Sequence, residues 1–196
     1  MSSVVELWNL ALSHIGAEAV VLAQTEKSEE ASRCALEYPT ARRLALRAHK
    51  WGFARKVAPL ADMGTPPNGW GYRYRYPGDC VFARAIDTGQ RELVDAIPFE
   101  VSWDEAAGRV VLTDQATADL VYTADVTDPN AWDILFFDAL GWLLASRLAL
   151  SITKSRQIRS ETFRIYQETL AEAQVAERNE SEPDVEREAP SIRARG

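Results

Sequence analysis

Residues 131–152 read AWDILFFDALGWLLASRLALSI, and Thr127-Asp128-Pro129 lead into them. Asp128 can accept from the free N–H groups at a helix start, and Pro129 suits a first turn, where its missing N–H costs nothing. Trp132, Leu135, Phe136, Ala139, Leu140, Leu143 and Leu144 cover most of the circumference of the helix this pattern predicts. A helix that is apolar nearly all round has to be covered by neighbours. Asp133, Asp138 and Arg147 interrupt it, and no uncharged run reaches about 18 residues, so a buried post is expected and not a membrane span. Asp133 and Asp138 read as polar positions on that post, salt-bridged to a neighbour. Gly141, Ala145 and Ala149 recur every four positions and would let another backbone come close. The chain offers more helix surface than one small bundle needs, which points to assembly and away from catalysis.

The covering helices come from both ends of the chain. Over residues 4–15, Val4, Leu7, Ala11 and Ile15 fall on one face, Trp8 and Leu12 widen it, Ser2 or Ser3 can cap it, and Gly16 ends it. A second helix begins at Ser28, with Glu29 and Glu30 in its first turn, where acids suit the helix dipole. Its apolar face is Ala31, Cys34, Ala35 and Tyr38, continued by Leu44, Ala45 and Ala48. Pro39 lies inside this pattern and is expected to kink or split the helix near Tyr38. The second half is basic, with Arg42, Arg43, Arg47 and Lys50. A last helix over residues 155–179 carries a stripe of Ile158, Thr162, Ile165, Tyr166, Thr169, Ala173 and Ala176. Residues 181–196 hold two prolines and almost no apolar content, the composition of a flexible arm that cannot fold alone.

Between these helices the period changes. Short runs at 56–60, 72–76, 80–86, 92–96, 100–103, 109–112 and 119–124 read as strands, broken by TPPNG, PGD, DTGQ and EAAGR. The fold class is therefore α+β. A helical bundle from residues 1–52 and 127–180 receives an inserted small antiparallel β-domain at 53–126, and the arm follows at 181–196. Within the β-domain, Trp70-Gly-Tyr-Arg-Tyr-Arg-Tyr76 alternates aromatics and arginines. Strand geometry puts Tyr72, Tyr74 and Tyr76 on one face, with Arg73 and Arg75 on the other. The pattern fits an amphipathic strand with its tyrosines on the core; a stacking platform for single-stranded nucleic acid is the alternative.

Composition narrows the function. With 196 residues and 46% hydrophobic content, one domain or two small ones can hold a real core. The net charge of −7 disfavours tight DNA binding, which depends on neutralising phosphates. No signal peptide is expected from the residues after Met1. Cys34 and Cys80 read as reduced thiols, and His14 and His49 are too far apart for a zinc motif, so no metal or cofactor is expected. No nucleophile elbow, P-loop or dinucleotide loop occurs, and Asp87, Glu92, Asp95, Asp104 and Glu105 are scattered over strand ends and turns. His14, near the end of its helix, reads as a surface residue stabilised by the dipole. No enzymatic activity is expected. Arg42, Arg43, Arg47, Arg73 and Arg75 are the candidates for contacts with a partner subunit.

Taken together, WNLALSHIG, SEEASRCALEYPTARRLALRAHKWGFA, WGYRYRYPGDCVFARAI, IPFEVS and LVYTADVTDPNAWDILFFDALGWLLASRLALSIT resemble the head-to-tail adaptor proteins of short-tailed phages, the tail tubular protein A group. The resemblance spans roughly residues 5–175, and its weight lies in the order and spacing of the blocks. It implies a helical bundle with a β-domain and no catalytic residues. It also implies a ring, usually of about twelve copies, at the head–tail junction of the virion, binding the phage portal protein and the tail nozzle protein while double-stranded DNA passes its lumen without specific binding. The segment after residue 181, with Ile192, Arg193 and Arg195, would reach toward the portal. The rival readings are a nucleic-acid-binding module using strand 70–76 and a small enzyme with an unrecognised site.

Overall fold

The computed structural model of the chain describes residues 3–67, 69–89 and 96–181. Helix α1 (Val4–His14) starts on a capping box: the Ser3 hydroxyl accepts from Glu6 N, and the Glu6 carboxylate accepts from Ser3 N. It ends at Gly16, whose φ of +71° is the left-handed conformation that closes a helix without a Cβ penalty. Ser28 caps α2 (Glu29–Ala48) through Ala31 N. This helix is not split at Pro39. Pro39 and Ala35 both lie on the exposed side of the helix, where a carbonyl without its N–H partner can bond water.

A single 3-10 turn at Gly52–Ala54 leads into the strands β1 (Arg55–Pro59), β2 (Tyr72–Arg75), β3 (Cys80–Ile86), β4 (Phe99–Asp104), β5 (Gly108–Thr113) and β6 (Asp119–Ala124). Among the described residues they form two antiparallel three-stranded sheets, ordered β1-β6-β3 and β2-β5-β4. The expected strand at 92–96 falls mostly outside the described residues. Register pairs Val57 with Val121 in one sheet and Tyr74 with Val111 in the other. Tyr74, Val111, Leu120, Tyr122 and Ile86 come from both sheets and share one core, so the sheets pack face to face as a small sandwich.

After β6 the chain departs from expectation in one detail. Asp128 and Pro129 begin only a 3-10 turn, Pro129–Ala131. The Trp132 indole then donates to Val126 O at 3.0 Å, and Asp133 caps the main helix α3 (Ile134–Thr153) by accepting from Leu135 N at 2.7 Å. Trp132 thus precedes the post and Asp133 is its cap, not a salt-bridged position on it. Phe136, Leu140, Leu144 and Leu148 are fully buried on α3, as a core helix requires. By length and composition α3 could cross a membrane, but its apolar surface is largely covered by protein. Lys154 takes a left-handed turn (φ 58°), and α4 (Arg156–Ser181) packs back along α3. Helix α1 sits against Gly141, where an added Cβ would lie 2.9 Å from Leu10 Cδ2. Leu7, Trp8, Leu12, Leu46, Trp51, Tyr166 and Ala173 complete the helical core.

Candidate assembly surface

The basic half of α2 is exposed at Arg43 and Arg47 and buried at Arg42. Arg42 is 8% exposed. Its Nε and one terminal nitrogen donate to Asp125 Oδ1 at 3.0 and 2.8 Å, and its guanidinium lies 5.3 Å from the centre of the Tyr38 ring. Burial opposes the charge on Arg42, but Tyr38 and Asp125 outweigh burial and raise its pKa. Arg43 adds a 3.4 Å contact to Asp125 Oδ2 from the exposed side. Arg47 lies over the Phe82 ring at 4.6 Å and reaches Val81 O at 3.5 Å. Arg84 of β3 donates back to His49 O at 2.6 Å and to the Thr123 hydroxyl. In the β-domain, Arg73 bonds Asp104 Oδ2 and Met63 O, both at 2.7 Å. Of the five arginines expected at a subunit contact, Arg42, Arg47 and Arg73 therefore use their guanidinium groups within the chain. Arg43, Arg47 and Arg75 are exposed, Arg43 while also paired to Asp125. The arginines of α2 join the helical body to the sheet β1-β6-β3.

An open surface lies elsewhere, along α2, α3 and α4. Leu44, Leu150 and Phe163 are each 40–44% exposed, and with buried Leu143 they form the walls and floor of a groove of about 930 Å³. Arg156 and Arg159 line it and form no ion pair among the described residues. The ion pair of Arg147 Nε with Glu37 at 2.7 Å bridges α3 to α2 inside it. Because these apolar side chains sit on three different helices, no single helical pattern reveals the groove.

The remaining expected residues fall as follows. His14 is half-buried and not a free surface residue. Its ring stacks on Trp142 at 3.5 Å with 5° between the planes, and Nε2 is buried without a hydrogen-bond partner. Burial lowers its pKa, against a raising influence from Asp138. Tyr74 and Tyr76 are buried, Tyr72 stacks on Tyr74 at 6.1 Å, and the Tyr74 hydroxyl donates to Gln115 O, so these faces are not offered to bases. Asp104 is occupied in its turn, accepting from Ala106 N, Ala107 N and Arg73. Cys34 and Cys80 are buried, and burial pushes the Cys34 thiol up to about 12. No group of three or more metal-ligating side chains occurs among the described residues. Glu92, Asp95, Ile192, Arg193 and Arg195 lie outside the described residues.

Compared with known proteins, the chain matches no protein-family model, and no curated protein matches it.

Proposed function

We propose that the chain is a structural virion protein, a head-to-tail adaptor of the kind found in short-tailed phages, whose copies form a ring between the portal and the tail nozzle. The observation that carries this reading is the series of five sequence blocks, in order, that resemble that family. The fold supports it, because those blocks fall on α1, α2, β2, β3, β4, β6 and α3, the elements that build the two cores and the arginine junction between them. A subunit whose helical body and β-domain are tied by Arg42, Arg47 and Arg84 can transmit contacts at one end to the other without bending at the joint. The groove lined by Leu44, Leu150 and Phe163 supplies apolar surface for a neighbour. The net charge of −7 suits a lumen that DNA passes without sticking, since like charges repel the phosphates. About twelve copies is the number the resemblance implies, and Ile192, Arg193 and Arg195 are the proposed portal-docking residues.

The test is direct. Purified protein is mixed with the portal protein of the same virus and imaged by negative-stain electron microscopy. The expected result is a closed ring of this chain seated on the portal. A chain that stays monomeric and leaves the portal bare would refute the reading. Deleting residues 183–196 then asks whether the terminal segment carries portal affinity. Lost binding with an unchanged circular dichroism spectrum assigns docking to that segment, and undiminished binding assigns it to the folded body.

A further inference from the structure

The connection between α1 and α2, residues 17–27, carries two of the most exposed large apolar side chains among the described residues. Val20 is 65% exposed and Leu22 84% exposed, while Val21 between them is buried. This alternation is held in place. Asn9 of α1 donates through Nδ2 to Val21 O and accepts from Val21 N at Oδ1, both at 2.8 Å, as a neighbouring strand would. Leu22 N donates to Glu26 Oε2 at 2.8 Å, closing the turn that follows. Main-chain bonds on both sides and a buried Val21 therefore fix Val20 and Leu22 outward. Two apolar prongs presented by a braced backbone lose little conformational freedom when they bind.

The groove on α2, α3 and α4 is the matching concave surface. Gly141 on α3 faces α1, and Leu150 lies nine residues further on, about two and a half turns at 3.6 residues per turn. The groove thus opens on the side of α3 opposite α1, and the exposure of Val20 and Leu22 shows that the chain does not fill its own groove. The charge around the loop is net acidic, with exposed Glu18 and Glu29 (the latter paired to Arg33) against the single exposed Lys27, and exposed Arg156 and Arg159 line the groove. We infer that the Val20–Leu22 prongs of one copy seat in the Leu44/Leu150/Phe163 groove of the next. The contact joins two unlike patches on different sides of the subunit, so it is head-to-tail and propagates from copy to copy, closing a ring when the rotation between neighbours closes. It gives the ring-forming reading above its subunit contact, and rests on that reading.

Cysteine cross-linking tests the contact. Leu22→Cys and Leu44→Cys are made singly and together, and each protein is treated with diamide and run on non-reducing gels, with and without portal protein. The native Cys34 and Cys80 are buried and do not compete. The doubly substituted chain is expected to give a ladder of multimers, and a mixture of the two single variants to give a mixed dimer. Leu22→Asp is expected to shift the assembled protein to monomer on size exclusion with its circular dichroism unchanged. No ladder under either condition, or a Leu22→Cys dimer that forms without the second site, would overturn the contact. Electron microscopy of the same samples separates the two ideas. Rings on the portal without a ladder leave the adaptor reading standing and remove this interface. A ladder without portal binding keeps the interface and removes the adaptor reading.

Discussion

Replacing Asp125 with Ala removes the acceptor that holds Arg42, and the structure sets the size of the effect. Exposed ion pairs are worth about 0–1 kcal/mol, whereas removing one partner of a buried pair costs about 3–5 kcal/mol. The Arg42 and Asp125 side chains are 10% and 19% exposed, near the buried end of that range. The contact to Arg43, whose side chain is 57% exposed, adds little. Asp125→Ala leaves the Arg42 guanidinium enclosed with only Tyr38 beside it, and about 3 kcal/mol is the expected loss. For a chain of this size that is a fall in Tm of roughly 6–12 °C. Urea denaturation followed by circular dichroism gives the midpoint, and an unchanged slope shows that stability and not the denatured state has moved. The double variant Arg42→Met/Asp125→Leu should recover most of the loss, because an apolar pair leaves no charge enclosed. A shift below about 1 kcal/mol for Asp125→Ala, or a double variant no more stable than the single, would refute the account of the junction.

Leu140→Ala and Leu143→Ala should each lower stability by about 2–5 kcal/mol in the same assay, since both side chains are buried on α3, and an unmoved midpoint would take α3 out of the core. Burial depresses the His14 pKa below the ordinary 6.5, so between those two values the unfolded chain binds a proton that the folded chain does not. The His14 contribution is therefore complete above 6.5 and is lost as pH falls through the depressed value, and His14→Gln should flatten the midpoint over that window; an equal slope in both proteins would contradict it. Cys34, its thiol pushed up to about 12, should resist iodoacetamide in the native protein at pH 8 and react once urea unfolds it, a difference that mass spectrometry of the alkylated peptide reads out.

The parts of the fold legible in the sequence are those set by local period. Six apolar residues around one helix, Leu135, Phe136, Ala139, Leu140, Leu143 and Leu144, mark α3 as a core element, and Ser3, Gly16 and Ser28 mark helix ends because each acts on backbone groups within a few residues. Where local chemistry allowed two answers, packing decided. Asp128 and Asp133 are both competent caps, and the Trp132 indole on Val126 O selects the second by fixing the chain between them. Pro39 is accommodated in an unsplit α2 on its exposed side, where water can replace the lost main-chain bond. The arginines were illegible for a different reason: Asp125 and Phe82 lie far along the chain from Arg42 and Arg47, so a basic helix face looked like solvent or a partner contact. His14 is illegible for the same reason, since its stacking partner Trp142 lies far along the chain, beyond strands β1 to β6.

The arginine junction bears on assembly. In the proposed ring, a fixed lumen requires each subunit to hold its shape between the two rims. Long helices stiffen a subunit along its axis, but the joint to an inserted domain is where it would bend. In this chain the joint is crossed from both sides. Arg42 and Arg47 reach from α2 to Asp125 and Phe82, and Arg84 reaches from β3 back to His49 O. Guanidinium groups suit that position because their planar forks hold direction as well as charge. With Arg42 and Arg84 committed there, the proposed neighbour contacts are the apolar groove and the braced loop. Lysine substitutions at Arg42 and Arg84 would keep the charge but lose the fork. They should loosen the angle between the two cores while leaving each core folded, a change that small-angle scattering reads as a broadened distance distribution at constant helix content.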